Sequence, residues 1–378
     1  MRIAYIFNWV LSGTGIDDKV RRQIASWRGQ GCNIQLFYLS PIGGEKPGDC
    51  VWIERQTGKT VLGQYRDNRA CFSKLDLAIT TFRPDVIYIR NCYYHPRLGN
   101  ILRKYPSILE LNSLWLQESW LHRKATFRRR LLYYHLLLTR KLFYKAVKGA
   151  VAVTHEIRDK ELKACLPRLP VKVIPNSIAV PNVTDRSLKG NSSVPKIVFA
   201  AGPLPVPAAQ NYHGVDKIYR VAANTIGRLE FVLIGESQFY PKSKPSNIRL
   251  TGKLGHKEMR RVIADCDVGL GTVGLHRKGM EEACPLKVRE YVAQGLPVIL
   301  PYKDTAFWDE VPSWVLEIPN SENNLENAID EIETFCREMI GKDVPREDAE
   351  NFFGAAHLEK ARVKFMASIS EVEITEDI

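Results

Sequence analysis

The sequence lacks any uncharged apolar run of the roughly 18 or more residues that a membrane-spanning helix requires. It also lacks internal repeats, low-complexity tracts and CxxC pairs, although it contains 8 cysteines. Scattered cysteines are typical of free thiols in a reducing cytosol, so a disulfide framework or a zinc site is disfavoured. The apolar segment Met1–Val10 is interrupted by Arg2 and Asn8 and precedes no small-residue cleavage site, so we interpret it as a strand and not a signal peptide. These absences favour a globular, cytoplasmic protein.

The length and the composition predict two folded domains. A chain of 378 residues exceeds what one hydrophobic core usually holds, and 45% hydrophobic with 25% charged residues is an ordinary globular balance. Segments of strand and helix character alternate along the chain, which indicates parallel sheets covered on both faces. Small and polar residues cluster at Pro181–Val194, the best linker candidate. We therefore predict an α/β fold of two doubly wound, Rossmann-like domains, 1–182 and 183–353, which face each other across a ligand-binding cleft.

Acidic residues are absent from 119–149, where most of the excess positive charge is concentrated. The net charge of the chain is +12, and this segment is rich in Lys and Arg interleaved with aromatic and aliphatic residues. Such a basic amphipathic stretch is too charged to span a bilayer but suits an anionic membrane surface. The alternative is that its apolar stripe belongs to the domain core and its basic face is solvated. We predict no nucleic-acid partner, because no recognised nucleic-acid motif accompanies the segment.

The most informative segment is 282–300, with the sequence EACPLKVREYVAQGLPVIL. Pro285 suits the first position of a helix, where its missing N–H is not needed. Leu286–Gln294 is compatible with helix, and Gly295 is placed to end it. The backbone N–H groups of the first turn are then open to an anion, and Lys287 adds a positive charge beside them.

Two carboxylates flank this predicted helix end: Glu282 lies before it and Glu290 lies inside it. The E-x7-E spacing, followed by an apolar helix and G-x-P-V-I, resembles the donor-binding signature of the family-4 ("group 1") retaining glycosyltransferases, which have the GT-B fold. The resemblance implies that Glu282 contacts hydroxyls of the donor sugar and that Glu290 holds the ribose of the nucleotide. It also implies that the N–H groups after Pro285, beginning with Leu286, bind the pyrophosphate. For the glutamates alone, the alternative is a solvated helix face.

The resemblance extends over the whole layout of the chain. The sequence GTG, with Gly13 and Gly15, resembles the glycine loop that follows the first strand and lets phosphate or acceptor approach the backbone. The segment 247–254, NIRLTGKL, resembles a strand beside the base pocket, which places Lys253 near the base. The last helix of many members packs on the first domain, so we expect 354–378 to do the same.

Two residues that follow predicted strands of the first domain are further candidates. Asn112 follows ILEL, where the family often places a side chain that touches the sugar. His155 follows the strand that ends near Thr154, and the topology puts it in a cleft-facing loop, where it is able to hydrogen-bond donor or acceptor. For His155 the alternative is a purely structural role.

One departure from the family concerns the diphosphate. Many members carry an Arg in the glycine turn after the first strand of the donor domain and a Lys a few residues later, and both reach the phosphates. Here the corresponding residues are Pro203 and His213. Lys287 is then best placed to neutralise the diphosphate, with Arg289 or Arg277 as the other nearby candidates.

The resemblance implies a metal-independent, retaining hexosyltransferase with a nucleoside diphosphate sugar as co-substrate and no other cofactor; we expect a UDP-sugar in preference to a GDP-sugar. Asp265 and Asp267 have DxD spacing, but they fall between a helix and a strand, so we interpret them as cap residues and predict no metal. The expected acceptor is a glycan or a polyprenyl-diphosphate-linked glycan of surface polysaccharide synthesis, reached by docking 119–149 on the inner face of the membrane. Two alternatives stay open: a GT-B-fold sugar epimerase, and a catalytically silent subunit that binds donor or lipid only.

Overall fold

The structure is a computed structural model that describes residues 1–8, 15–41, 50–55, 61–90, 92–124, 126–182, 193–201, 212–235 and 243–371. The chain divides into two compact units, Met1–Pro175 with Ala355–Ile378, and Asn176–Gly354. The division lies at Pro175, seven residues before the boundary expected from the sequence. Most of the predicted linker, 183–192, falls outside the described residues.

The first unit is built on a parallel sheet. Its strands are β1 (Arg2–Phe7), β2 (Asn33–Pro41), β3 (Cys50–Arg55), β4 (Val86–Arg90), β5 (Ser107–Leu111), β6 (Gly149–Ala152) and β7 (Val171–Val173). They are ordered β3-β2-β1-β4-β5-β6-β7, and each described neighbour pair is parallel. Except for its first residue, β1 is buried along its length, as expected for a strand that is covered on both faces.

Helices pack on this sheet. Those that precede the second unit in the chain are α1 (Gly15–Gly29), α2 (Val61–Phe82), α3 (Pro96–Lys104), α4 (Trp115–His122) and α5 (Phe127–Ala146). Gly15, predicted in a loop, is instead the first residue of α1. The helix therefore begins two residues before Asp17, the first acidic residue of its first turn. Trp27 of α1 is fully buried and stacks against Tyr5 of β1, with ring centroids 5.5 Å apart.

The second unit repeats this architecture. Its strands are β8 (Lys196–Ala200), β9 (Glu230–Ile234), β10 (Ile248–Gly252), β11 (Val268–Leu270), β12 (Glu282–Ala283), β13 (Val298–Leu300), β14 (Lys303–Asp304) and β15 (Val315–Glu317). The main sheet has the order β10-β9-β8-β11-β13-β15, while β12 pairs with β14. Each described pair is parallel. The strand order therefore reverses between β8 and β11, and ligands of doubly wound sheets bind beyond the carboxyl ends of strands at such a point.

The helices of the second unit follow this alternation. They are α6 (Val215–Asn224), α7 (His256–Ala264), α8 (Leu286–Ala293), α9 (Asn324–Asn327), α10 (Ile329–Glu338) and α11 (Arg346–Phe353). Asp265 is the C-cap residue of α7, and the carboxylate of Asp267 accepts the Lys196 N–H at 2.8 Å. The fold class predicted from the sequence, α/β with two doubly wound parallel sheets, is confirmed.

The last helix, α12 (Ala355–Ser370), returns to the first unit and packs against α1, β4 and β5. Glu359 accepts a hydrogen bond from Trp27 Nε1 at 2.8 Å and pairs with Arg362, which donates to the carbonyl of Ile174 at 3.0 Å. Trp27, Glu359 and Arg362 are almost fully buried, and the two charges pair with each other inside the core. No helix in the described part of the chain is long and apolar enough to cross a membrane.

Candidate functional site

The helix predicted over 285–294 is α8, and its first turn is open. Pro285, predicted as the first helical residue, is the N-cap residue with extended backbone angles, φ −76° and ψ 142°, so the helix begins one position later, at Leu286. Pro285 supplies no side-chain hydrogen bond to the first turn of α8, and the first four N–H groups of a helix have no acceptor within the helix itself. Gly295, at φ 83°, adopts the left-handed conformation that ends the helix as predicted.

Two contacts fix α8 against the carboxyl end of the sheet. The Tyr291 hydroxyl accepts the Ala200 N–H, at the end of β8, at 2.6 Å. The Tyr291 ring also lies so close to Gly269 of β11 that a Cβ there would be 2.3 Å from its Cδ2. Only glycine permits this approach, which holds the helix directly over the two strands where the strand order reverses.

Lys287 lies in the first turn of α8; the side chain as a whole is partly exposed, but its Nζ is buried. Its Nζ lies 3.9 Å from the centroid of the Phe199 ring of β8 and has no hydrogen-bond partner among the described residues. Burial alone lowers the pKa of Lys287 to about 7. A buried ammonium group is costly unless it is paired, and an aromatic face compensates only part of that cost. The arrangement therefore favours an anionic ligand at this amine.

The two glutamates of the motif flank Lys287 along the chain. Glu282 is half-buried in β12, and Glu290 is only 6% exposed within α8. The short pairing of β12 with β14, which matches Glu282 with Lys303, determines where the first carboxylate lies. The roles of Glu282 with the sugar and of Glu290 with the ribose stay predictions.

The two arginines suggested as further phosphate ligands are held by carboxylates instead. Arg289 is fully buried and forms a two-pronged ion pair with Asp304, with Nη2 to Oδ1 at 2.7 Å. Arg277 binds both carboxylate oxygens of Asp216, at 2.8 and 2.7 Å, and also pairs with Glu322. The sequence could not reveal these acidic partners because they come from other elements of the unit.

His213 stands at the position where many members of the family carry Lys, and its ring packs against Tyr212. Burial, together with the positive charges of Lys287 and Lys278, holds the pKa of His213 well below its usual range. Its imidazole is therefore uncharged at neutral pH, and it does not replace the charge of a lysine. Pro203, the other departure, lies outside the described residues.

The remaining predicted residues are not brought together by any described contact. Gly13 lies outside the described residues, and Lys253 is exposed just after β10. Asn112 accepts from Lys19 Nζ at 2.9 Å and donates to Glu110 Oε1 at 2.8 Å, so a buried ion pair orients its amide. His155 is half-buried where a helical turn begins. Their contacts with donor or acceptor stay predictions.

Known proteins resemble this chain in part of its sequence and in its fold. Residues 19–180 match the model of Glycosyltransferase Family 4. Sucrose-phosphate synthase from Thermosynechococcus elongatus superposes with a TM-score of 0.70 at 14% identity, covering 98% of this chain and 99% of that one. The lipopolysaccharide outer core galactosyltransferase WaaB gives 0.66 at 12% identity, covering 97% and 100%. A putative UDP-N-acetylglucosamine 2-epimerase from Listeria monocytogenes gives 0.55 at 12% identity, covering 100% and 99%.

These similarities define the class of protein. At such low identities the structural likeness shows the fold alone, and that fold is GT-B. No curated protein matches this chain significantly by sequence. The resemblance to the family-4 glycosyltransferases is confirmed by the match over 19–180, which does not include Glu282 or Glu290, and the family match and the structural neighbours together support a glycosyltransferase.

Proposed function

We propose that the protein transfers a hexosyl group, with retention and without a metal, from a nucleoside diphosphate sugar to a glycan or lipid-linked glycan. One observation carries this proposal: the Nζ of Lys287, in the first turn of α8, is buried and has no hydrogen-bond partner within the described ranges of the chain. Helix N-termini bind phosphate groups through their backbone N–H groups, and an ammonium group beside them adds a full charge. The diphosphate of the donor, preferably a UDP-sugar, is the anion of this class that fits both features.

The transfer reaction develops negative charge on the diphosphate, the group that we assign to the first turn of α8 and Lys287. The bond between the sugar C1 and the diphosphate oxygen breaks, the acceptor oxygen forms the new bond to C1, and its proton passes to the leaving phosphate. Hydrogen-bond donors that already point at the developing charge stabilise the transition state, because they do not have to reorient during the reaction. In this proposal the α8 N–H groups and Lys287 are those donors. Glu282 then orients the sugar and Glu290 anchors the ribose.

A thermal-shift panel of UDP-, GDP- and ADP-sugars tests the donor class. A ligand that binds only the folded protein stabilises it by about 2.7 kcal/mol at a hundredfold excess over its Kd, which raises the melting midpoint measurably. We expect a shift with UDP-sugars that exceeds the shift with GDP-sugars. The absence of a shift with every nucleotide sugar would remove the donor-binding part of the proposal.

A sugar epimerase is the second candidate, because a putative UDP-N-acetylglucosamine 2-epimerase shares the fold over the whole chain. A silent subunit that binds donor or lipid without turnover is the third. Nucleotide release separates them: a transferase releases nucleotide faster when acceptor is added, an epimerase releases it without acceptor, and a silent subunit releases none. We expect acceptor-dependent release.

The acceptor side of the proposal rests on α5. Its outward face carries exposed apolar side chains at helical spacing, while Leu136, Phe143 and Tyr144 on the other face are buried in the first unit. We call the outward set the α5 stripe: Phe127, Leu131, Tyr134, Leu138 and Leu142. Exposed basic residues flank the stripe: Arg128, Arg130, Lys141 and Lys145. A helix with a second, exposed apolar face between cations supports docking on an anionic bilayer, where a polyprenyl-diphosphate-linked acceptor is held.

Liposome flotation tests this docking with a matched pair of leucines. Leu138 is 75% exposed in the α5 stripe, and Leu77 of α2 is 72% exposed elsewhere in the same unit. We expect Leu138→Glu to reduce binding to anionic vesicles about tenfold, because one buried leucine contributes about 1.5–3 kcal/mol. Leu77→Glu should bind like the wild type, and replacing Arg128, Arg129 and Arg130 by Ser should also weaken binding, by about 1 kcal/mol per charge. Equal flotation on neutral vesicles, or equal losses for both leucine variants, would contradict the docking.

A further inference from the structure

Asn112 comes directly after β5, at the carboxyl edge of the first sheet, and two charged side chains hold its amide. The carbonyl oxygen Oδ1 accepts a hydrogen bond from Lys19 Nζ at 2.9 Å, and Nδ2 donates to Glu110 Oε1 at 2.8 Å. Lys19 and Glu110 also form an ion pair with each other, and their side chains are 1% and 0% exposed. Asn112 is itself only half-buried, so a buried ion pair holds a residue that is still open to solvent.

Neighbouring elements fix the carboxylate of this ion pair. Tyr88 of β4 donates to the second carboxylate oxygen of Glu110, and Gln23 of α1 donates to the same oxygen at 3.4 Å. The Tyr5 hydroxyl of β1 donates in turn to Gln23 Oε1 at 2.9 Å. Burial alone would raise the pKa of the Glu110 carboxyl, but the charge of Lys19 holds that pKa well below its usual range. Burial also lowers the pKa of Lys19, to about 8, so both partners of the amide are charged at pH 7.

The two charges determine which way the Asn112 amide points. An ammonium group only donates and a carboxylate only accepts, so the amide oxygen must face Lys19 and the amide nitrogen must face Glu110. A rotation of the amide by half a turn would place N–H groups against the ammonium group and the oxygen against the carboxylate. Neutral neighbours that both donate and accept would permit either orientation.

The bonds to the ion pair use only half of what the amide offers. A side-chain amide has two N–H donors and an oxygen with two lone pairs, and within the described residues Asn112 uses one of each. One donor and one acceptor remain, which is the combination that pairs with a hydroxyl group. The strand order of the first sheet reverses between β1 and β4, and ligands of doubly wound sheets bind beyond the carboxyl ends of strands near such a point.

We propose that Lys19 and Glu110 are positioning residues, which fix the Asn112 amide in the orientation that binds a sugar hydroxyl group of the donor or of the acceptor. This inference rests on the proposed function and adds to it two residues that do not touch the sugar. A buried ion pair often stabilises a protein no more than neutral residues of similar size do, so its contribution to stability does not explain its presence here. An oriented amide does explain it, because a site built to hydrogen-bond a hydroxyl group discriminates strongly against an analogue that lacks the group.

The test compares two buried ion pairs of the first unit. Lys19→Met with Glu110→Gln removes both charges beside Asn112. Arg362→Met with Glu359→Gln is the matched control, because that pair is equally buried, with 0% and 1% exposure. Nucleotide release by the full chain is measured from UDP-glucose, UDP-galactose and UDP-N-acetylglucosamine. One arm contains octyl glucoside as the acceptor probe, and in the other arm water is the only acceptor.

The expected pattern is a loss that does not accumulate. The substitutions at Lys19 and Glu110 should lower kcat/KM about tenfold, and Asn112→Ala should do the same. All three together should also lower it about tenfold, because the ion pair acts through the amide. The control pair should change kcat/KM by less than about twofold. UDP, which lacks the transferred sugar, should bind every variant with wild-type affinity in calorimetric titration.

Each outcome decides a different statement. No nucleotide release by the wild type from any of the three UDP-sugars would overturn the proposed function, and the inference with it. A loss of about a hundredfold for the three substitutions together would show that the ion pair acts independently of Asn112 and would overturn the inference alone. An equal loss for the control pair, or a weakened affinity for UDP, would likewise overturn it. A loss in both arms assigns the hydroxyl group to the donor, and a loss with octyl glucoside only assigns it to the acceptor.

A second pair of variants keeps the test decisive if Lys19→Met with Glu110→Gln does not fold. Asn112→Asp places a carboxylate against Glu110 and should lower kcat/KM more than Asn112→Ala does. Adding Glu110→Gln exchanges the amide and the carboxylate between the two positions and keeps the charge of Lys19 paired. We expect this double variant to recover part of the loss, and the absence of any recovery would overturn the positioning role.

Discussion

Replacing Lys287 by methionine is expected to slow transfer strongly and, at the same time, to stabilise the ligand-free protein. The loss of an electrostatic donor at the leaving group costs about 10²–10³ in rate. The gain arises because burial lowers the pKa of Lys287 to about 7 in the folded chain, whereas an exposed lysine titrates near 10.5. Methionine keeps the apolar stem on Phe199 and removes the buried charge. We expect a gain of about 3–4 kcal/mol in the free energy of unfolding at pH 7–8.

The pH dependence of this stabilisation has a defined sign. Because the folded pKa of Lys287 is depressed, the unfolded chain binds more protons between pH 7 and 10.5, and wild-type stability rises with pH across that window. The penalty is fully present below about pH 7 and disappears near pH 10.5. Urea unfolding of the wild type and of Lys287→Met at several pH values should therefore converge as pH rises. Lys257→Met, at an exposed site, should show no such convergence, and a Lys287→Met variant that is less stable at pH 7 would contradict the account.

Replacing Arg289 by methionine is expected to destabilise the second unit by about 3–5 kcal/mol, because it leaves a fully buried partner charge without compensation. Arg289 and Asp304 both have 0% side-chain exposure. The guanidinium also donates to the Asn176 carbonyl at 3.2 Å and to Cys284 Sγ at 2.9 Å, and its Cζ lies 4.5 Å from the centroid of the Phe353 ring. Arg289 therefore links three parts of the second unit: Asn176 in the segment before β8, Cys284 in the turn before α8, and Phe353 in α11.

Two comparisons isolate the buried charge as the cause. Arg337→Met removes the exposed ion pair with Glu333, and it should change the free energy of unfolding by less than about 0.5 kcal/mol. Adding Asp304→Asn to Arg289→Met should recover part of the loss, since no carboxylate is then left unpaired. Urea denaturation reports both. A loss below about 1 kcal/mol for Arg289→Met would show that Asp304 finds another partner or is hydrated.

The sequence predicted the parts of this protein that depend on local pattern. The alternation of strand and helix character gave the two parallel sheets, and the Pro–Gly brackets around α8 located a helix end to within one residue. Gly295 indicated the end of α8 directly, because helices often end in a left-handed residue and that conformation, observed here at φ 83°, favours glycine. The family resemblance carried by Glu282 and Glu290 then led to the fold that the comparisons confirm.

The sequence could not predict which charges are already paired. Lys287 and Arg289 lie two positions apart on one helix, yet the first has no partner among the described residues and the second is held by Asp304. Such pairings depend on strand order, which places residues distant in sequence side by side.

The basic segment 119–149 shows the same limit. Its composition favoured a membrane surface but left open whether the apolar residues were domain core. The structure divides them: Leu136 and Phe143 are buried, while Leu138 is 75% exposed. A helical periodicity cannot separate two apolar faces of one helix, because both recur at three and four residues. The exposed face is what supports the docking proposal.

Proton uptake on nucleotide binding tests the central claim most directly. At pH 8 the amine of Lys287, with a pKa of about 7, is mostly neutral in the free protein, and pairing with a diphosphate requires it to be charged. Calorimetric titration with UDP in buffers of different ionisation enthalpy should therefore show uptake of about one proton per nucleotide. Lys287→Arg, whose guanidinium stays charged, should bind UDP with that uptake removed. Equal proton uptake by the wild type and Lys287→Arg, or wild-type binding with none, would contradict a diphosphate at Lys287.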